Sequence, residues 1–338
     1  MLYPLTFKPV FKERVWGGRE IEKLYRKPLP AGKRIGESWE ISDRPGDESV
    51  VANGTFAGKT LRWLMENHGA EILGESKPAA GNRFPILCKI LDAREKLSLQ
   101  VHPSPGSAGV SPADSETRRR DGSAPSASEP KTEMWYVAQA APNAELFAGL
   151  KRNVTRADFE RKISDGSVAD CFHRIPVHAG DVMFLPSGRV HAIGAGLVIF
   201  EIQQNSDTTY RVFDWNRVGL DGKPRELHIK ESLASIDFND FEPGLVQGKF
   251  AGEEIKMRSL VKDPLFNVEA VEMKRGAGDL LKPKKLQIIA VVVGQTEIKS
   301  PPGNVNLSAG QFCLVPADSE QTEIVSKADA TLLRVEAN

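Results

Sequence analysis

Residues 180–191 read Gly-Asp-Val-Met-Phe-Leu-Pro-Ser-Gly-Arg-Val-His, and no other stretch constrains the fold as tightly. Val182 to Leu185 form a short apolar run of strand character, closed by a Pro186-Ser187-Gly188 turn. His191 follows where the next strand begins. The spacing Gly-x5-Pro-x-Gly-x2-His therefore predicts strand, turn and strand, with an imidazole on the second arm. If that imidazole does chemistry, its partners must lie upstream on a neighbouring strand pair.

Similar short strands recur. Phe84 to Leu91 reads as a buried strand, and Leu97 to His102 alternates apolar with polar. The alternation places Ser98, Gln100 and His102 on one face and Leu97, Leu99 and Val101 on the other. Met134 to Val137, Glu145 to Ala148, Cys171 to Val177 and Leu197 to Gln203 continue the pattern between Gly and Pro turns. Such spacing implies an all-β sandwich or barrel. Helical periodicity is confined to Thr60–Leu73, where Leu61, Leu64, Met65 and Ile72 recur and Thr60 can cap, and to Thr155–Ile163, capped by Thr155 with Asp158 in the first turn. Residues 224–250 read as a connector with a short helix at Ile229 to Ala234.

From about Gly252 a second β unit begins, with strand-like Leu286 to Val293 and Thr331 to Val335. Gly310-Gln-Phe-Cys-Leu-Val-Pro316 repeats the Gly-x5-Pro part of the first motif, yet no histidine follows it, and none occurs after His228. The expected fold is mainly β: two units of sandwich or barrel type with a few short helices, residues 1–245 carrying the chemistry and residues 246–338 lacking a counterpart of His191. A length of 338 residues suits two domains. Residues 103–130 are rich in Pro, Ser, Gly and Ala, too poor in apolar side chains to offset ordering entropy. They are expected to form a mobile surface loop, with Arg118, Arg119 and Arg120 solvated in it.

Lysine plus arginine balance aspartate plus glutamate at 45 each, so no global field favours nucleic acid or a membrane surface as partner. Cys88, Cys171 and Cys313 are widely spaced and odd in number, which is no disulfide framework. The N-terminus lacks a signal-peptide pattern, and the apolar run near Ile288 to Val293 is too short to span a bilayer. A cytoplasmic protein with reduced thiols is expected.

Gln100, His102, Glu133 and His191 form the candidate metal set. Alternate strand residues share a face about 7 Å apart. Two imidazoles, a carboxylate and an amide oxygen suit zinc or another divalent transition ion, and so few protein ligands leave a position open to water or substrate. His173 and His178 alternate poorly with His191 and are treated as non-ligands. Trp39, Trp135 and Trp215 are read as packing residues.

The Gly180–His191 spacing resembles the second motif of cupin barrels, whose histidine faces the lumen and binds metal, and this resemblance implies two cupin-like (jelly-roll) β-barrels, the one at residues 246–338 without a metal site. Leu97-Ser-Leu-Gln-Val-His-Pro103, Lys131-Thr-Glu-Met-Trp-Tyr-Val137 and Glu201-Ile-Gln-Gln-Asn-Ser-Asp-Thr-Thr-Tyr-Arg-Val-Phe-Asp-Trp215 resemble the signature segments of class I mannose-6-phosphate isomerases. Phe11 to Gly18 and Gly36 to Ser42 are similar to that family too. The likeness covers most of residues 1–225, in the short bacterial form. Two departures stand out: the 103–130 loop is longer than usual, and Pro130 replaces the glycine that normally precedes Lys131.

The resemblance implies one Zn2+ per chain, held by Gln100, His102, Glu133 and His191, and an active-site role for Arg211. It implies interconversion of mannose 6-phosphate and fructose 6-phosphate through a cis-enediol. Glu201 is the candidate base, with a zinc-bound hydroxide as its rival. Arg211 and Lys131 are candidate catalytic and substrate-binding groups, and Ser98 a candidate phosphate ligand. A sugar phosphate would be the partner, and the chain a monomer or dimer. Two other readings of the same scaffold are a metal-dependent cupin oxygenase and a non-catalytic sugar-phosphate-binding regulator.

Overall fold

The computed structural model describes residues 2–104, 129–301, 303–319 and 321–338. The loop expected over 103–130, with Arg118, Arg119 and Arg120, lies outside the described residues at positions 105–128.

Strand alternation decides which side chains meet in this fold. In the first half a six-stranded sheet runs in the order Val182–Leu185, Glu133–Ala140, Leu197–Gln204, Ile86–Ala93, Val10–Gly18, Ile35–Ile41. A five-stranded sheet runs Tyr210–Phe213, Leu99–Val101, His191–Ile193, Glu145–Leu150, Phe172–Pro176. Their inner faces share one buried cluster, to which the first sheet gives Leu91, Trp135 and Ile199 and the second Leu146, Ala148 and Ile193. Along Leu197–Gln204, Leu197 and Ile199 point into this cluster. Val198, Phe200 and Ile202 point the other way, into a core shared with Ile288, Leu314 and Val335 of the second half. Glu201 and Gln203 thus continue the inward face, where the barrel turns polar.

The Gly180–His191 motif is a corner between sheets. Val182–Leu185 pairs with Glu133–Ala140 in the first sheet, while His191–Ile193 pairs with the second. Gly180 and Gly188 hold φ of 91° and 90°, the left-handed region that glycine enters without strain. A Cβ at Gly188 would also meet the Ser104 hydroxyl at 2.5 Å. The corner explains the motif: it carries the chain across the barrel, so that His191 faces Glu133 from the opposite wall.

The second half repeats the plan. A six-stranded sheet (Ala251–Gly252, Ile255–Lys262, Phe266–Met273, Ala330–Ala337, Gln287–Val293, Phe312–Val315) faces a four-stranded one (Gly278–Leu280, Glu323–Ser326, Gln295–Lys299, Val305–Ser308). Val271, Ile289, Val291, Leu307, Ile324 and Leu332 fill the space between them. Gly310 again has positive φ, 80°, before its strand. The two halves are stapled by reciprocal 2.8 Å backbone hydrogen bonds between Leu5 and Leu314 and by stacking of Phe200 on Phe312 at 5.5 Å.

The expected helices are present as Leu61–Leu73, capped by the Thr60 side chain and kinked at His68, Arg156–Asp165, with a Thr155–Asp158 capping box, and Ile229–Ser235. The strand expected over 84–91 is displaced to Ile86–Ala93, because the Phe84 N–H donates to the Asp43 carboxylate at 2.8 Å instead of to a neighbouring strand. An additional helix, Glu20–Tyr25, interrupts the glycine-rich N-terminal segment. Among the described residues no helix is long and apolar enough to cross a membrane.

Candidate active site and metal centre

Each sheet lays one row of functional side chains across the barrel. In the five-stranded sheet, Arg211, Gln100 and His191 are successive cross-strand partners. In the six-stranded sheet, Trp135, Glu201, Lys89 and Trp39 stand side by side on four adjacent strands. Glu133 opens the strand that carries Trp135, and Lys131 precedes it by two residues. Between the rows lies a cleft of about 550 Å³ whose walls include Ser98, Gln100, Lys131, Glu201, Lys89 and Arg211.

At one wall the ligand atoms of His102, Glu133 and His191 lie within 4.8 Å of one another, all three residues buried. The Nδ1 of His102 sits 2.8 Å from the Thr208 carbonyl, and the Nδ1 of His191 is 2.9 Å from the Arg189 carbonyl. Each carbonyl can only accept, so Nδ1 carries the proton and each Nε2 keeps its lone pair. Those lone pairs face Glu133: His102 Nε2 is 3.6 Å from Oε2 and His191 Nε2 is 3.4 Å from Oε1. Both oxygens of Glu133 are buried, and Oε1 faces only the His191 imidazole. The Lys131 ammonium contacts Oε2 as an ion pair and lies 3.2 Å from His102 Nε2. Gln100 presents its amide nitrogen 3.3 Å from His191 Nε2, and half a turn of the amide would present the oxygen instead.

Two imidazole lone pairs and a carboxylate converging in one buried space call for positive charge, which Lys131 supplies at Oε2 and His102 but not between Oε1 and His191 Nε2. The donor set therefore fits a divalent ion of zinc type. Burial, and then the Lys131 charge, pushes the His102 imidazole down to about 4, and burial lowers His191 as well, so both are neutral and ready to ligate near pH 7. Burial alone would raise the Glu133 carboxyl. The adjacent Lys131 ammonium opposes it, and the group is held well below its ordinary range.

The second row is a network of ions. Glu201 accepts from the Trp135 indole at 2.9 Å on Oε2 and lies 3.2 Å from the Lys89 ammonium on Oε1. Lys89 also faces Glu37 at 3.8 Å, and Glu37 is held by Trp39 and Arg14, each at 2.6 Å. Burial opposes ionisation of Glu37, but Arg14 and Lys89, with the Trp39 hydrogen bond, pull its carboxyl down to about 2. A carboxyl depressed in the folded state stabilises the protein above its unfolded value, near 4.5, and that stability drains away as pH falls toward 2. Metal-free Glu37→Gln should therefore be less stable near neutrality, with a flatter loss between those pH values in urea titrations. Parallel curves for variant and parent would contradict this assignment.

Of the expected residues, Gln100, His102, Glu133, His191, Lys131, Glu201, Arg211 and Ser98 all gather at the cleft or its wall. Glu201 and Arg211 form no ion pair with each other, since Glu201 is taken by Lys89. His178 is exposed, and neither it nor His173 joins the cluster. Trp39 and Trp135 are buried and also bind carboxylates through their indoles. Sequence reasoning missed Lys89, Glu37 and Arg14. Lys89 did leave a signal, because a lysine within Pro-Ile-Leu-Cys-Lys-Ile-Leu must find a partner inside the fold.

Comparison with known proteins gives a consistent result. A family model described as phosphomannose isomerase type I, catalytic domain, matches residues 5–119. The mannose-6-phosphate isomerase ManA of Bacillus subtilis is 34% identical over 313 residues, which cover 93% of each chain. A mannose-6-phosphate isomerase of Streptococcus mutans is 32% identical over 94% of this chain and 93% of its own. A crystal structure of the Bacillus subtilis mannose 6-phosphate isomerase superposes with a TM-score of 0.84 at 30% identity, over 99% of both chains.

Proposed function

The chain belongs to the type I phosphomannose isomerase family, and we propose that it interconverts mannose 6-phosphate and fructose 6-phosphate in this cleft, with zinc and through a cis-enediol. The single observation that carries the reading is the convergence of the buried Glu133 carboxylate and two imidazole Nε2 atoms within 4.8 Å at the wall of a cleft that also holds Glu201. Gln100, His102, Glu133 and His191 would hold the ion. When bound, it would supply Lewis-acid polarisation of the substrate's oxygens.

The remaining work falls to side chains. Isomerisation takes a proton from C2 and returns one to C1, while a hydroxyl proton leaves O2 and O1 gains one. Glu201 is the proposed carrier between the carbons. Trp135 and Lys89 fix its two oxygens, so little reorganisation is needed when the proton moves. Lys131, with an ammonium beside the candidate ligands, is proposed to donate to the ring oxygen during opening, and Arg211 to stabilise developing negative charge. Ser98 is proposed to donate to the phosphate. The chemistry is assigned to residues 1–245, with residues 246–338 as a buttress. Three buried free thiols support action in a reducing, cytoplasmic setting.

A coupled assay with mannose 6-phosphate tests this on protein of measured metal content. About one zinc per chain, activity lost on chelation and activity regained with Zn2+ are expected. Undiminished turnover by metal-free protein would refute the metal-dependent reading, and oxygen uptake with iron bound would favour an oxygenase.

A further inference from the structure

The strand Tyr210–Phe213 ends on Asp214, after which Trp215 and Asn216, both at positive φ, reverse the chain. Asp214 is buried and takes two arginines. Arg225 donates through Nε to Oδ2 at 2.7 Å and through Nη2 to Oδ1 at 2.5 Å. Arg217 donates through Nε and Nη2 to Oδ1, at 3.0 and 2.9 Å. The two then diverge. Arg217 turns its remaining nitrogen to the Lys96 carbonyl, whereas Arg225 lines the cleft with Arg211 and Ser98.

Arg211 has no carboxylate within ion-pair distance among the described residues. Its Nη1 donates to the Glu226 carbonyl at 2.6 Å, and its Nε is buried without a partner. Two guanidiniums thus share one buried carboxylate and the third, Arg211, has none, which leaves an excess of two positive charges. Nearby Asp221 and Glu226 are exposed, where solvent screens them. Burial chiefly, and then the charges of Arg225 and, behind Asp214, Arg217, lower the Arg211 pKa. Such an excess of charge is relieved by a dianion with several acceptor oxygens. A phosphate monoester carries about −1.5 to −2 near neutral pH and offers three. Arg211 is the cross-strand partner of Gln100, so this charge excess begins one strand beyond the candidate metal residues.

We propose that Arg225, aimed by Asp214, joins Arg211 and Ser98 in gripping the substrate's phosphate, and so selects phosphorylated over free sugar. Asp214 is a positioning residue that acts through Arg225. The inference rests on the function proposed above, and its test separates the two. In Arg225→Met, KM for mannose 6-phosphate and the inhibition constant for inorganic phosphate should each rise about 10- to 100-fold, the loss of charge-assisted hydrogen bonds, with the defect confined to binding. Arg225→Lys should recover part of this, and Asp214→Asn should shift KM in the same direction with kcat kept. Metal content should match the parent in the Arg225 variants, and Arg225→Met should stay folded with a modest fall in thermal midpoint, since Arg217 still pairs Asp214. A folded Arg225→Met protein with unchanged KM and unchanged phosphate inhibition overturns the proposal, as does a defect in kcat alone. If the parent fails to isomerise mannose 6-phosphate, the functional reading falls; loss of phosphate binding in Arg225→Met by calorimetry would still uphold the anion subsite.

Discussion

His102→Ala protein should purify without stoichiometric metal and should isomerise mannose 6-phosphate at least about a thousandfold more slowly than the parent. The size of the effect follows from how the imidazole is held. It is 1% exposed, its Nδ1 is pinned to the Thr208 carbonyl, and burial keeps it neutral, so its Nε2 is committed to the space in front of Glu133. Alanine removes that donor and leaves nothing nearby to replace it. The Lys131 ammonium remains against Glu133, so the carboxylate is not stranded and the barrel should persist. Metal analysis and circular dichroism check this together. His178→Ala, which alters an exposed histidine outside the cluster, should keep both metal and activity. One zinc per chain in folded His102→Ala would rule out His102 as a ligand.

That histidine was legible in the sequence because local rules sufficed. Alternation along Leu97 to His102 put Gln100 and His102 on one face, and the Gly180–His191 spacing supplied an imidazole beyond a turn. What the spacing did not reveal is that the turn changes sheets. That depends on Val182–Leu185 pairing with Glu133–Ala140, a choice made by packing between distant segments. The helix Glu20–Tyr25 was hidden for a similar reason. It has no side-chain cap of its own, and the N–H groups of Glu20 and Ile21 instead donate to Asp92 on a strand far along the chain, at 2.6 and 3.3 Å. Burial pushes the Asp92 carboxyl up to about 6, and these donors only partly offset it. Lys89, Glu37 and Arg14 come from three strands far apart in sequence and meet only in the folded sheet, which no single segment encodes. Arg225 lies in an irregular stretch after Tyr210–Phe213, where no periodicity says which way a side chain faces.

Glu201→Gln should slow isomerisation by about 10²- to 10⁴-fold, the range typical of a lost proton carrier, and should abolish exchange of the C2 hydrogen with solvent. The substitution keeps the size of the side chain, so packing against Trp135 survives. It removes the negative charge from the centre of a buried row. Lys89 then depends on Glu37 at 3.8 Å and on the half-exposed Asp207 at 3.9 Å. Breaking a buried pair outright costs about 3–5 kcal/mol, and the remaining carboxylates should hold the loss below that. A modest fall in thermal midpoint is therefore expected beside a large kinetic defect, and the two must be measured separately. Proton NMR in D2O follows deuterium entering C2 of the aldose and C1 of the ketose. If Glu201→Gln exchanges that hydrogen at the parent rate, Glu201 is not the carrier. Lys89→Met sharpens the test, since Lys89 holds Oε1 of Glu201 and faces the same cleft. If Lys89 acts only by holding Glu201, the double variant should be little slower than Glu201→Gln alone. Additive losses would instead give Lys89 a separate part in the reaction.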